Sequence, residues 1–384
     1  MNTQPLYDLS PALHIMLMGI VVALGPLSWM WLRNARAQPA RRLQVLTLAV
    51  MFLTFDLVLF GAFTRLTDSG LGCPDWPGCY GHASPSGAQV HIEKAQAAMP
   101  TGPVTHGKAW IEMIHRYLAT GVGVLILTLA AGTWVLRRRG AAISPWWPTA
   151  TLAWVCLQGA FGAWTVTMRL FPAMVTMHLL AGLVLLALLC EQAVAYAHER
   201  EGRPRAAIPA KVRAWLVAAV ALVWLQVALG GWVSTNYAVL ACSDFPACQG
   251  TWWPAMDFRQ GFELWRDLGR TGGGEHIGFE ALTSIHYTHR LVAYLVFAVL
   301  GSLAWRLYWL LELKSQASWI AALLAWQLAT GISNVLLGWP LLVAVAHTGG
   351  AAALIVVLAW ALAETRTQVT AAQAAPLDAR KRSA

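Results

Sequence analysis

Four histidines recur in pairs along this chain. His115, in "EMIHRYLA", is matched by His289, in "HYTHRLVA"; His178, in "MHLLAG", is matched by His347, in "AHTGGA", 169 positions later. Imidazoles within apolar sequence serve as metal ligands or as hydrogen-bond partners between helices. Zinc or copper would recruit a third or fourth protein ligand. Haem iron needs only axial ligands, because the porphyrin supplies the other nitrogens. Two histidine pairs therefore read as two haem sites, with interhelical hydrogen bonding as the alternative. Arg116 and Arg290 directly follow His115 and His289. They are candidates for pairing with haem propionates, or for anchoring to lipid headgroups.

The pairs are not identical. Glu112 precedes His115 by three residues, on the same helical face and about one turn nearer the surface. His286 occupies the matching place before His289. A partly desolvated carboxylate beside a haem pocket can take or hand on protons, so the first pair reads as reactive and the second as a redox partner. The alternative for Glu112 is a helix N-terminal carboxylate favoured by the macrodipole.

These residues need helices to hold them, and the composition says where those helices sit. The chain has 384 residues, 58% hydrophobic and only 12% charged, against about 25% charged in soluble domains. Apolar stretches near the ~20 residues that cross a bilayer occur at 11–33, 43–65, 110–136, 146–168, 172–197, 212–235, 284–310, 316–338 and 340–363. Nine spans are expected, with two tight helical hairpins at 169–171 and 339–340. The net charge of +9 does not point to nucleic acid. Eighteen of the 27 Lys and Arg fall in or beside alternate segments: 33–42, 137–139, 200–213, 306–314 and 366 to the end. The positive-inside rule makes those segments cytoplasmic and places the N-terminus and the loops 66–109 and 236–283 outside. No signal peptide is expected, since residues 1–13 carry no basic residue.

On this topology each histidine of the two pairs lies roughly five to eight residues into a helix that starts at the outer surface, about 8–12 Å below it. His82, His91, His106 and His276 fall in outer loops, His198 in a cytoplasmic one, and His14 on the first helix; these read as solvent or interface residues. Asp56 lies within the second span, either as a functional acid or as a hydrogen-bonded structural group.

The outer loops carry four of the six cysteines, in "GCPDWPGCYG" and "ACSDFPACQG". In an oxidising compartment each C-x5-C pair reads as a local disulfide, with metal ligation and a redox-active thiol pair as alternatives. Cys156 and Cys190 read as inert small hydrophobes within helices. The offset of 169 separates Cys73 from Cys242 and Gln158 from Gln327 as it does His178 from His347; for His115 and His289 it is 174, the second outer loop being longer. The expected fold is an all-α polytopic membrane protein of two parallel four-helix bundles related as pseudo-repeats. The units are 1–42, an extra helix and loop; 43–198, the N-terminal half; 199–364, the C-terminal half; and 365–384, a cytoplasmic tail.

The combination of "EMIHRY", "THRLVA", "MHLLAG" and "AHTGGA" with two outer C-x5-C loops resembles the haem A synthases of the cysteine-bearing bacterial type, over roughly residues 50–364. That family's proteins have eight membrane helices and oxidise the C8 methyl of haem O to a formyl group, giving haem A for terminal oxidases. The resemblance implies a haem b cofactor on His289 and His347, haem O received at His115 and His178, and Glu112 as the catalytically important acid. It also implies the pairings Cys73–Cys79 and Cys242–Cys248, in a bacterial cell membrane. The helix at 11–33 is an addition to the usual eight. Membrane lipid, an electron donor and a haem O synthase are the partners this reading admits, and a homo-oligomer is compatible with it. The competing functions are a di-haem electron-transfer cytochrome and a haem carrier without turnover.

Overall fold

The structure is a computed structural model that describes residues 9–141 and 143–367. Residues 1–8 and the expected tail beyond 367 lie outside the described residues. The helices are α1 (Ser10–Arg33), α2 (Pro39–Leu66), α3 (Gln89–Ala98), α4 (His106–Arg138), α5 (Trp146–Thr167), α6 (Pro172–Glu201), α7 (Ala210–Thr235), α8 (Phe258–Gly261), α9 (Phe279–Tyr308), α10 (Lys314–Leu336) and α11 (Leu341–Ala363). Two three-residue strands, β1 (Ala206–Ile208) and β2 (Thr365–Thr367), pair in parallel. They tie the start of the expected tail to the α6–α7 connection, a contact that the helical periodicity does not foretell.

Eight of the helices are long and apolar enough to cross a membrane, where the sequence reading expected nine. The helix that falls short is α5, because Trp146, Trp147, Thr149, Thr151 and Trp154 make its first half less apolar. Its packing nevertheless matches that of its neighbours. Trp147 Nε1 donates to Leu188 O (3.1 Å), Trp154 Nε1 to Ala181 O (2.8 Å) and Gln158 Nε2 to His178 O (2.9 Å), so α5 runs antiparallel along α6. At 22 residues it is about 33 Å long.

Local chemistry sets the helix ends. Proline opens α2 and α6, where its missing N–H costs nothing. Gly202, at φ 61°, closes α6 in the left-handed conformation. The hairpins α5–α6 and α10–α11 turn through Arg169 and Leu170 (φ 51° and 60°) and through Gly338 and Trp339 (φ 66° and 65°). Two successive left-handed residues reverse the chain in few steps, as the short spacing requires.

Helices α2, α6, α7 and α11 pack on one another at the centre; α4 and α5 flank α2 and α6, while α9 and α10 flank α7 and α11. Leu183, Leu216, Leu300, Leu303, Ile320 and Leu358 interlock in the largest buried cluster. One junction joins the ends of α2 and α7: Arg65 Nη2 donates to Ser234 O (2.8 Å), its guanidinium lies 4.0 Å over the Tyr237 ring, and the Tyr237 hydroxyl bonds Asp68.

The additional helix α1 lies against α4. A Cβ on Gly19 would stand 2.5 Å from Thr120 Cγ2, and one on Gly121 would stand 2.8 Å from Val22 Cγ1. Small residues let two helix backbones approach this closely. The start of α1 reaches the first cysteine loop, where Ile15 packs with Cys73, Cys79 and Met113. At the other end of the bundle, Glu364 accepts from Arg203 Nη2 (3.1 Å) and lies 3.0 Å from His198 Nε2. His198, read as a solvent or interface residue, thus lies in a partly buried polar cluster with Arg203 and Glu364.

Candidate functional site

The four histidines lie on four different long helices. His115 on α4 and His178 on α6 lie within electrostatic reach of each other, as do His289 on α9 and His347 on α11. His115 and His289 lie nine and ten residues into their helices, farther than expected, because α4 and α9 begin several residues before the apolar runs, within the cysteine-bearing connections.

Each imidazole rests on a glycine of a neighbouring helix. A Cβ at Gly61 would stand 3.1 Å from His115 Cε1, and one at Gly162 3.3 Å from His178 Cε1; the distances are 3.0 Å for Gly230 and His289 and 3.3 Å for Gly331 and His347. Any side chain there would push the ring away. Helix α5 holds α6 through Gln158 Nε2 and His178 O, and α10 holds α11 through Gln327 Nε2 and His347 O (3.1 Å), so the backbone beside each of these rings is pinned the same way.

The ring nitrogens differ between the pairs. Nδ1 of His115 and Nδ1 of His178 are buried and, among the described residues, have no hydrogen-bond partner. Against His289, Gln226 Nε2 lies 3.1 Å from Nδ1 and 3.1 Å from the backbone O. Thr330 Oγ1 lies 2.9 Å from His347 Nδ1. Sequence reasoning missed Gln226 and Thr330 and all four glycines. The glycines carried a usable signal, since Gly61 and Gly230, and Gly162 and Gly331, are also 169 apart.

Above the pairs sit the two cysteine loops, closed by the disulfides Cys73–Cys79 and Cys242–Cys248. Glu112 is buried beneath the first. Its Oε2 accepts from Cys73 N (2.7 Å) and its Oε1 from Arg116 Nη2 (2.5 Å). In its place under the second loop, His286 Nδ1 lies 3.1 Å from Ala238 O and 3.4 Å from Cys242 N. Arg116 and Arg290 do not extend freely toward the aqueous edge. Arg116 Nη1 donates to the carbonyls of Asp75 (3.0 Å), Pro77 (3.0 Å) and Gly78 (2.5 Å), and Arg290 Nη1 to those of Asp244 (3.0 Å), Pro246 (3.3 Å) and Ala247 (2.7 Å). Their main work is holding the loops, a role that emerges only once the loops are folded. Arg290 Nη2 is buried without a partner. Asp56 is exposed on α2 and, among the described residues, has no hydrogen-bond or ion-pair partner.

In the second loop, Asp244 accepts from Gln249 N (2.7 Å) and Gly250 N (2.9 Å). The Gly250 N–H, with the Gln249 N–H adding to it against a smaller desolvation effect, holds the Asp244 carboxyl below its ordinary value.

An iron porphyrin fits this arrangement by three observations. Each pair offers two imidazoles, and among the described residues no cluster of three or more His, Cys, Asp or Glu suits a bare metal ion. Ring nitrogens in the first pair are buried and unpartnered. The glycines let each imidazole lie against the neighbouring helix where a Cβ would stand, which fixes where the four rings sit within the bundle.

Fold and site together define a multi-pass helical membrane protein with two histidine pairs set beneath disulfide-closed loops. The chain belongs to the cytochrome oxidase assembly protein family (COX15-CtaA), whose profile matches residues 44–359. It is 38% identical over 320 residues to the heme A synthase of Shewanella oneidensis, covering 80% of this chain and 92% of that one. It is 29% identical over 348 residues to the heme A synthase of Caulobacter vibrioides, covering 85% and 96%. The heme A synthase of Halalkalibacterium halodurans is 26% identical over 300 residues, covering 76% and 86%.

Proposed function

We propose that this protein is a haem A synthase, a membrane oxidoreductase that converts the C8 methyl of haem O to the formyl group of haem A for terminal oxidase assembly. Family membership supports the activity, and one observation supports the division of labour: a carboxylate, Glu112, stands beside the first histidine pair and none stands in the matching place beside the second. His115 and His178 bind the substrate haem O. His289 and His347 hold haem b, which when bound supplies electron transfer to or from the substrate site. Glu112, fixed between Arg116 and the Cys73 amide, is the acid that takes or passes protons as the methyl group is oxidised. Arg290 Nη2, buried and unpartnered, is the group best placed to receive an acidic substituent of haem b.

The two halves, 43–198 and 199–364, act as parallel repeats; matching glycine, glutamine and loop hydrogen bonds at an offset of 169 support this. The disulfide loops face the outside of a bacterial cell membrane and the C-terminus the cytoplasm. A haem O synthase supplies the substrate; turning its methyl into a formyl group takes in one oxygen atom, from water with four electrons and four protons passed to an acceptor, or from dioxygen with electrons drawn from a donor.

The test is to express the protein with a haem O source, extract the membrane pigments and separate them. Haem A should accumulate, and Glu112→Ala should stop its formation while haem b stays bound. Haem O recovered unaltered with the wild-type chain would refute the enzyme assignment.

A further inference from the structure

The two histidine pairs share glycine cradles but not hydrogen-bond partners. Gln226 stands four residues before Gly230 on α7, and Leu57 stands four residues before Gly61 on α2. Thr330 directly precedes Gly331 on α10, and Phe161 directly precedes Gly162 on α5. At both matching positions the second pair has a polar side chain touching Nδ1 and the first has an apolar one with nothing to donate or accept. We infer that Gln226 and Thr330 are positioning residues that lock haem into the second pair, and that Leu57 and Phe161 leave the first pair's imidazoles unanchored so that its haem can exchange. This rests on the proposed reading of His289 and His347 as haem b ligands.

The chemistry is that of an outer hydrogen bond on a metal-binding imidazole. The Thr330 hydroxyl donates to Trp326 O (2.8 Å), so its lone pairs face His347 Nδ1 at 2.9 Å. Nδ1 therefore carries the proton and Nε2 is left for iron. The hydrogen bond also fixes the ring's orientation and makes Nε2 more basic. Gln226 straddles the His289 ring and backbone, and its Oε1 has no partner. Its Nε2 donates to the His289 backbone O and rests against the ring at Nδ1, so Gln226 fixes where the ring sits. In the first pair neither Nδ1 has such an acceptor, so each ring turns more freely and holds iron less tightly. A permanent cofactor needs the first arrangement, while a substrate that must enter and a product that must leave need the second.

Haem loss to an excess of a soluble haem-scavenging globin is measured on the purified protein, together with the reduction potential of the bound haem. Gln226→Leu and Thr330→Val should each speed loss of haem b by about 10- to 100-fold, Thr330→Val should also raise its potential, and Thr330→Ser should restore slow loss. The converse double variant, Leu57→Gln with Phe161→Thr, should retain additional haem through purification. If Gln226→Leu with Thr330→Val releases haem b at the wild-type rate and potential, in a protein whose haem b is lost on His347→Ala, the inference is wrong and the haem assignment stands. If His347→Ala keeps the same haem b, the assignment of the pair falls, and the inference with it.

Discussion

In the first cysteine loop Asp75 accepts from Tyr80 N and Gly81 N, and Arg116 holds three carbonyls; in the second, Asp244 accepts from Gln249 N and Gly250 N, and Arg290 holds three carbonyls. One layer lower the likeness stops. Glu112 faces Arg116, whereas His286 replaces it and Arg290 Nη2 is left unpartnered. Beneath that, bare imidazoles stand opposite hydrogen-bonded ones. The loops and glycine cradles are built alike around both histidine pairs, and the few side chains that differ are those on which the proposed division of labour rests.

The largest effect expected from breaking this comparison lies at the arginines. Arg116→Met would strand a buried carboxylate whose side chain is only 5% exposed, at a cost of about 3–5 kcal/mol. Arg290→Met strands no charge and should cost less, about 1–3 kcal/mol from the orphaned carbonyls. Thermal unfolding in detergent should therefore separate the two variants. Equal losses would mean that Glu112 is not held as described.

Next come the cradles. Gly230→Val should displace His289 and strip haem b, whereas Gly61→Val should leave haem b in place and block haem O conversion. Overpacking of about 1–3 kcal/mol corresponds to roughly a 5- to 150-fold weakening. Haem content by absorbance and extracted pigments read the two outcomes separately, and loss of haem b from the Gly61 variant would reverse the assignment.

The smallest effect is at Asp244. Its folded-state pKa lies below the ordinary 3.8, so its contribution is complete above that value and is lost as pH falls through the lower folded value. Fluorescence of Trp252 and Trp253, next to the loop, should change in that acidic range, and Asp244→Asn should remove the transition. A transition that persists in Asp244→Asn would assign it to another group.

Much of this was legible in the sequence because it rests on periodicity and repetition. The apolar runs foretold the long helices, and the repeated C-x5-C spacing foretold the two disulfides. Helix α5 follows its apolar run, yet its tryptophans and threonines lower its mean hydropathy while two of the tryptophans bond it to α6. What stayed hidden depends on three-dimensional placement. The sequence puts Arg116 one residue from His115, but the carbonyls it holds lie about 40 positions away. Gln226 and Thr330 looked like ordinary polar residues in apolar helices until their partners across the bundle were visible. The docking of α1 on α4 depends on Gly19 and Gly121, whose meaning is a close approach rather than a pattern.

The division of labour between the two pairs is tested most directly by visible spectra and extracted pigments of purified His115→Ala and His289→Ala, each expressed with a haem O source. The account predicts that His115→Ala keeps the b-type spectrum and yields no haem A, while His289→Ala loses the b-type spectrum. A normal b-type spectrum in His289→Ala, or its loss in His115→Ala, would contradict it.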